Sequence, residues 1–123
     1  MKVLIPLLSR HENSPGFLEK AVDGASQVVL LLIVDTKGMP GQFGFATTEI
    51  RQGNILMEDL KAKLREKRKP FNDIIEWGDT LTKIDHIAKL NKVDKIIMQK
   101  QENKFFNDIV KELEKQGVEI EII

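Results

Sequence analysis

The chain has 123 residues, of which 41% are hydrophobic and 31% charged, and its 19 basic and 19 acidic side chains cancel. This length and balance predict a single globular domain over residues 1–123, built around one core. With no net charge there is no overall field to attract nucleic acid or an anionic membrane, so neither is expected as a partner. The lack of cysteine excludes disulfides and thiolate metal sites, and we expect a cytoplasmic protein.

The first third of the chain predicts two buried strands separated by a short helix. The apolar run from Lys2 to Leu8 ends in polar residues and predicts the first strand. Pro15 and the apolar residues before Gly24 predict the helix. The seven consecutive apolar residues from Val28 to Val34 predict a central strand that is covered on both faces, and they are too few to span a membrane.

A stretch rich in helix and strand breakers follows the second strand. It contains Gly38, Pro40, Gly41 and Gly44. Their spacing matches no phosphate-binding loop, so we expect either a lid or a simple crossover.

A second helix and a third strand occupy the middle of the chain. The apolar stripe from Ile50 to Leu64 predicts an amphipathic helix that begins at an N-cap, Thr47 or Thr48, and runs to about Arg68. The segment from Phe71 to Trp77 predicts the strand, and the large Trp77 side chain is expected in the core.

The last part of the chain predicts a helix, a strand, a helix and a final strand. Asp79 or Thr80 can cap the third helix, whose apolar stripe is Leu81, Ile84, Ala88 and Leu90. The segment from Val93 to Met98 predicts the fourth strand. Asn103 caps the last helix, and Gly117 stands where a helix commonly ends. Val118, Ile120 and Ile122 then alternate with glutamates, as in a strand with one wet face.

This regular alternation of strands and helices defines the expected fold class. It predicts an α/β domain with a single open, parallel, five-stranded sheet and helices on both faces, joined by right-handed crossovers.

Several blocks of the chain resemble the universal stress protein family. The family's opening strand and its proline are similar to Val3–Pro6, and its second strand is similar to Leu30–Asp35. The most specific block runs from Ile74 to Asp79 (IIEWGD) through Ile84, Ile87 and Ala88 to Val93–Met98. The resemblance implies a strand order of 3-2-1-4-5 and a ligand cleft at the carboxyl ends of strands one and four.

Two departures from the family bear on its usual ligand, ATP. Members that bind ATP carry an aspartate after the first-strand proline, where this chain has Leu7 and Leu8. They also wrap the phosphates in a glycine-rich loop after strand four, where this chain has Gln99 to Phe106, with no glycine before Gly117. A backbone phosphate cradle needs residues that adopt positive φ and lack a Cβ. No cofactor is therefore predicted, and ATP and AMP are disfavoured.

The expected cleft is formed by residues at the carboxyl ends of the strands, and it would suit a small-molecule or anionic ligand. These candidates are Pro6, Leu7, Leu8 and Ser9 after strand one, Ile33, Val34 and Asp35 at strand two, Gly78 at strand three, and Gln99, Lys100, Asn103 and Lys104 after strand four. The last strand pairs across a two-fold axis in the family, which implies a homodimer through Val118, Ile120 and Ile122.

The leading interpretation is a regulatory or ligand-binding module of stress-protein type that lacks the usual ATP loop. One alternative is a small enzyme acting on a nucleotide or phosphate ester, with Ser9, His11 and Lys100 around the cleft. However, no oxyanion-hole motif accompanies them. Another alternative is a dimeric adaptor.

Two isolated histidines, His11 and His86, give no metal signal. The basic run Lys61, Lys63, Arg65, Lys67, Arg68 and Lys69 is typical of a solvated helix end.

Overall fold

A computed structural model describes residues 1–36 and 45–123. Strands and helices alternate as the sequence predicts: β1 (Lys2–Pro6), α1 (Pro15–Val22), β2 (Gln27–Asp35), α2 (Ile50–Glu66), β3 (Phe71–Gly78), α3 (Thr80–Leu90), β4 (Lys95–Met98), α4 (Lys104–Lys115) and β5 (Ile120–Ile122). The predicted lid or crossover with Gly38, Pro40, Gly41 and Gly44 lies outside the described residues.

All five strands belong to one parallel sheet, in the order β3-β2-β1-β4-β5. The predicted fold class and strand order are therefore confirmed. β1 pairs with β2 on one side and with β4 on the other, so the chain reverses its direction of winding at the β1–β4 boundary. In open α/β sheets such a switch point leaves a crevice at the carboxyl ends of the two strands.

The sheet divides the core into two layers, and β2 contributes to both. Every residue from Val28 to Val34 is fully buried. Leu30 and Leu32 pack on the face covered by α1 and α2. Val29, Leu31 and Ile33 pack on the face covered by α3 and α4. The continuous apolar run therefore marks a strand that is buried on both faces, as the sequence predicts.

The α2 helix lies unusually close to the sheet where it crosses β2. A Cβ placed on Gly53 would be 2.9 Å from Leu32 Cδ1 and 3.3 Å from the ring of Phe45. Glycine at this position removes the side chain that would otherwise hold the helix further from the sheet.

The structure corrects two predictions about the core. Trp77 is 52% exposed, because β3 is an edge strand with a neighbour on one side only. The α3 helix buries Ile87 and leaves Leu90 66% exposed at its last turn. The stripe predicted for α3 was therefore wrong at its last position.

The structure also corrects the start of the second helix. Thr47 and Thr48 lie inside a 3-10 turn (Thr47–Glu49) that precedes α2, and neither side chain caps a helix. The Glu49 carboxylate instead accepts a hydrogen bond from the Ala46 amide at 2.9 Å. An acidic side chain that reaches back to an amide at the start of a helix supplies the hydrogen-bond acceptor that a threonine hydroxyl would otherwise provide.

Several element ends differ from the predicted ones by a few residues. The helix predicted to reach Arg68 stops at Glu66, and Arg68 adopts a left-handed φ of 55° before Pro70. β1 is shorter than predicted at its end, and β4 and β5 are shorter at their starts. Strand ends depend on which neighbour is present to accept the backbone hydrogen bonds, and sequence does not supply that information.

We expect Ile33→Asp to prevent folding, because an unpaired carboxylate in this fully buried position costs about 4 kcal/mol or more, much of the stability of a typical domain. The control is Ile75→Asp in the edge strand, where the side chain is 46% exposed and the same substitution should be tolerated. Thermal unfolding followed by circular dichroism measures both. A cooperatively melting Ile33→Asp variant would contradict the two-layer architecture.

Candidate functional site

The loops that follow β1 and β4 meet at the switch point of the sheet. Ser9, after β1, donates its hydroxyl to the side-chain oxygen of Gln99, after β4. The amide nitrogen of the same Gln99 donates to Ser14 Oγ at 3.3 Å, at the start of α1. Two of the predicted cleft residues are thus brought together, and their side chains bridge the loops that follow β1 and β4.

A buried carboxylate, Glu12, lies beneath this bridge and is only 1% exposed. Its Oε2 atom accepts three hydrogen bonds, from the amide of Leu8 at 3.1 Å, the amide of Ser9 at 2.7 Å and the hydroxyl of Ser9 at 2.7 Å. We call these three donors the Glu12 cradle. Since the Ser9 hydroxyl has a single hydrogen, it can serve only one of Glu12 and Gln99 at a time.

Burial and hydrogen bonding act in opposite directions on Glu12. Removal from water raises the pKa of this carboxyl, and the donors of the cradle, together with the backbone amide of Glu12 itself, offset part of that rise. The other carboxylate oxygen, Oε1, is buried and has no hydrogen-bond partner among the described residues. A buried acceptor without a partner is uncommon and destabilising, so this group needs an explanation beyond stability.

The sequence prediction missed Glu12, although a local signal was present. Ser9 and Glu12 have the Ser-x-x-Glu spacing in which a glutamate side chain reaches back to the amide of the serine. The spacing predicts that contact, but not the burial of the carboxylate, which depends on the packing of the loop against the rest of the domain.

Arg10 ties the same loop to the start of α2. Its guanidinium makes a two-pronged ion pair with Glu49, at 2.6 Å and 2.7 Å, and lies 4.9 Å from the centre of the Phe45 ring. These contacts stabilise the left-handed backbone of Arg10, whose φ is 70°. The hydrogen bonds from Arg10 and from the Ala46 amide lower the pKa of Glu49 to about 2.

Phe45 closes the end of β2 on the side where β1 has already ended. Its amide donates to the Ile33 carbonyl and its carbonyl accepts from the Asp35 amide, each at 2.9 Å. The ring is 1% exposed. An apolar side chain therefore fills the space next to the β1 loop.

Five of the predicted cleft residues contribute to packing. Pro6, Leu7, Leu8, Ile33 and Val34 are all buried. Leu7 belongs to the core beneath α1 and α2, whereas Leu8 and Ile33 belong to the core beneath α3 and α4. The side chains of Leu7, Leu8 and Ile33 thus complete the two cores.

A second group of predicted residues lies at the ends of β2 and β3. Asp35 is in register with Gly78, and Asp35 Oδ2 accepts a hydrogen bond at 3.1 Å from the hydroxyl of Thr80, which is 4% exposed. Gly78 has a φ of 146°, and a Cβ there would lie 3.0 Å from Lys83 Cε. These contacts fix the start of α3 against the strand ends.

The loop after β4 is short, and Lys100 and Asn103 in it already have partners, whereas the buried Gln101 Nε2 has none among the described residues. Only residues 99–103 separate β4 from α4. The Lys100 amide donates to the Ile123 carbonyl at 2.8 Å, and its ammonium group lies 3.5 Å from Glu102. Asn103 caps α4 by accepting from the Phe106 amide at 2.8 Å, while Lys104 is exposed. The loop thus has neither the glycines nor the length of a phosphate-wrapping loop.

The hypothetical hydrolytic set does not assemble around an activated serine. His11 is exposed, and its backbone amide donates to Ser9 Oγ at 3.1 Å. The Ser9 hydroxyl in turn is directed at the oxygens of Glu12 and Gln99. Nucleophilic attack requires the serine to donate to a base such as imidazole. Within residues 1–36 and 45–123, no group of three or more His, Asp or Glu side chains could hold a metal ion.

Three of the six residues in the basic run at the end of α2 form ion pairs within the described part of the protein. Lys61 contacts Glu58 and Asp73, Lys63 contacts Asp59, and Lys67 contacts Glu19. The expected solvated helix end is therefore what the structure shows. Among the described helices, none combines the length and the apolar composition needed to cross a bilayer.

Comparison with known proteins identifies the fold. No family profile and no curated protein matches the chain, whereas thirteen chains of solved structures do. One is a protein of the universal stress protein family from Burkholderia pseudomallei, with a TM-score of 0.70 and 16% identity over 99% of this chain and 94% of that one. Another is the hypothetical protein PH0823, with a TM-score of 0.55 and 24% identity over the same shares of the two chains. At these identities the similarity is one of fold, and the chain has the universal stress protein fold.

We expect Glu12→Ala to lower the free energy of unfolding by about 2–4 kcal/mol, because buried donors lose their acceptor. Glu12→Gln keeps an acceptor and removes the buried charge, so it should be tolerated.

The stability of the protein should also depend on pH through Glu12. Because burial raises the pKa of the folded Glu12 carboxyl, the stabilising effect of this group is complete below the unfolded pKa of 4.5 and is lost as the pH rises through the folded pKa. Urea unfolding at several pH values should show this loss in the wild type and not in Glu12→Gln. If the free energy of unfolding changes equally with pH in the wild type and in Glu12→Gln, the raised pKa of Glu12 is contradicted.

Proposed function

We propose that the chain is a divergent universal stress protein: a cytoplasmic regulatory or small-ligand-binding module that is not a typical ATP binder. The supporting observation is the buried Glu12 carboxylate at the switch point, where an open α/β sheet presents its ligand crevice. The bridge from Ser9 to Gln99 crosses that crevice. Both features favour a ligand smaller than a nucleoside triphosphate.

The contacts around the cleft argue against ATP in two ways. Glu12 would repel a phosphate chain placed at the end of β1 wherever the carboxyl is ionised. The start of α4 is the alternative place for phosphate, since helix N-termini bind anions, but the Asn103 side chain already accepts from the Phe106 amide. Lys100 is the nearby cation, and Glu102 partly neutralises it.

The β5 edge supports a homodimer through a smaller surface than the sequence suggests. Val118 and Ile120 are half-buried and pack against the core beneath α3 and α4. Ile122 remains 43% exposed at the outer edge of the sheet. We therefore assign the proposed dimer contact mainly to Ile122, with Val118 and Ile120 supporting it from behind.

Titration calorimetry with ATP and magnesium tests the ligand proposal. We expect no saturable heat up to about 1 mM ATP, because the contacts missing from the triphosphate site together correspond to a loss of several orders of magnitude in affinity. AMP, which lacks the β- and γ-phosphates, should behave in the same way. Saturable binding of ATP in the low micromolar range would show that the proposal is wrong.

Sedimentation velocity tests the dimer proposal with two matched variants. Ile122→Lys places a charge on the proposed contact and should convert the dimer to a monomer without unfolding the chain. Trp77→Lys makes the equivalent change on the opposite edge of the sheet, where the side chain is 52% exposed, and should leave the dimer intact. If only Trp77→Lys dissociates the protein, or if the wild type is monomeric, the β5 interface is wrong.

A further inference from the structure

We propose that the Glu12 cradle is an oxyanion-binding site that the protein keeps filled with its own carboxylate. The site would take a carboxylate or phosphate group whenever the Glu12 side chain is absent or displaced. This inference deepens the proposed ligand-binding function by assigning a chemical class to one position in the cleft. It stands on the geometry of three donors that converge on a single oxygen.

The donors of the cradle have the composition of an anion site. Two successive backbone amides, those of Leu8 and Ser9, point at Glu12 Oε2, and the Ser9 hydroxyl completes the set. Consecutive amides in a turn form a concave, positively polarised surface that binds anions. Arg10, the next residue, has the left-handed backbone that is typical of such turns. The distance of 2.7 Å from the Ser9 amide lies in the range of charge-assisted hydrogen bonds.

The carboxylate of Glu12 is an imperfect occupant of this site. One of its oxygens faces all three donors, while the other is buried with no partner among the described residues. Buried polar atoms are usually hydrogen-bonded, and an unpaired one costs stability, so this oxygen is poorly fitted to its surroundings. An unpaired carboxylate oxygen is the expected result when a tethered group fills a site that fits a free oxyanion.

The location of the cradle connects it with the ligand crevice. It lies at the end of β1, and its serine also contacts Gln99 from the loop after β4. A ligand that entered between these strands would reach the cradle by displacing the Ser9–Gln99 bridge that covers it. The tethered carboxylate is present at a high effective concentration, so weakly binding anions cannot compete with it in the wild type.

The guanidinium of the adjacent Arg10 does not supply the attraction for the anion. Both oxygens of Glu49 already engage it. Binding in the cradle therefore depends on the two amides and the hydroxyl, which do not change their charge with pH. This makes the site suitable for a test in which only Glu12 is removed.

The test is chemical rescue of Glu12→Ala by small anions at constant ionic strength. Sodium formate, sodium acetate and sodium phosphate are each compared with sodium chloride by thermal unfolding at pH 7. A filled site should raise the Tm of the variant by about 5 °C at ten times the dissociation constant, and the rise should saturate. The wild type and Glu12→Gln, in which the cradle is already filled, should respond to the four salts alike.

The choice of anion identifies the chemical class. Rescue by formate or acetate alone assigns the site to a carboxylate, and rescue by phosphate as well assigns it to oxyanions in general. Amide resonances of Leu8 and Ser9 should shift on titration of Glu12→Ala with the rescuing anion, which places binding in the cradle. Adding Ser9→Ala to Glu12→Ala should weaken rescue about tenfold, because one of the three donors is lost.

A folded Glu12→Ala variant that shows no saturable rescue by any of the three oxyanions would overturn the inference. An equal effect of the salts on the wild type and on the variant would do the same. If Glu12→Ala is unfolded in chloride, a saturating concentration of formate should restore its far-ultraviolet circular dichroism, because binding to the folded state alone stabilises it. Failure to restore it also counts against the site. None of these results depends on ATP binding by the wild type, so this inference and the proposed function can fail separately.

Discussion

A strand with no exposed side chain requires a helix layer on each of its faces, and β2 imposes this requirement on the whole chain. Its residues from Val28 to Val34 are fully buried and alternate between the two cores. Because β2 is parallel to its neighbours, each connection must cross over a face of the sheet, and those crossovers supply the helices. The position of the ligand crevice follows from the same constraint, since the winding reverses next to β1.

The parts of the fold that depend on strong local patterns were predictable from sequence, and the sheet edges were not. Val28–Val34 defines a central strand by composition alone, and Asn103 and Gly117 mark the ends of α4 as expected. Trp77 and Leu90 were wrongly assigned to the core. Whether an apolar residue at an edge strand or in a last helical turn is buried depends on a neighbour that is distant in sequence, and periodicity does not report it.

In the candidate site, too, features set by neighbouring residues were predictable from sequence, and features set by residues distant in sequence were not. The lack of a glycine-rich loop after β4 was visible in the sequence, and the short connection from β4 to α4 agrees with it. The buried Glu12 was missed, because its burial depends on how its loop packs, and Ser9 of that loop contacts Gln99, 90 positions further along the chain. The two glutamates of this region also show how context decides the behaviour of one residue type. Burial raises the pKa of Glu12, whereas the ion pair with Arg10 lowers that of Glu49.

The exposure of Trp77 determines what optical spectroscopy reports for this protein. The chain has one tryptophan and no tyrosine, so nearly all of its near-ultraviolet absorbance and intrinsic emission comes from a single ring. That ring is half in solvent at the outer edge of β3, next to Gly78 and away from both cores. Its emission therefore reports the surroundings of the edge strand and the start of α3 more directly than the packing of the interior. Methyl resonances of the buried leucines and isoleucines are the direct probes of the interior.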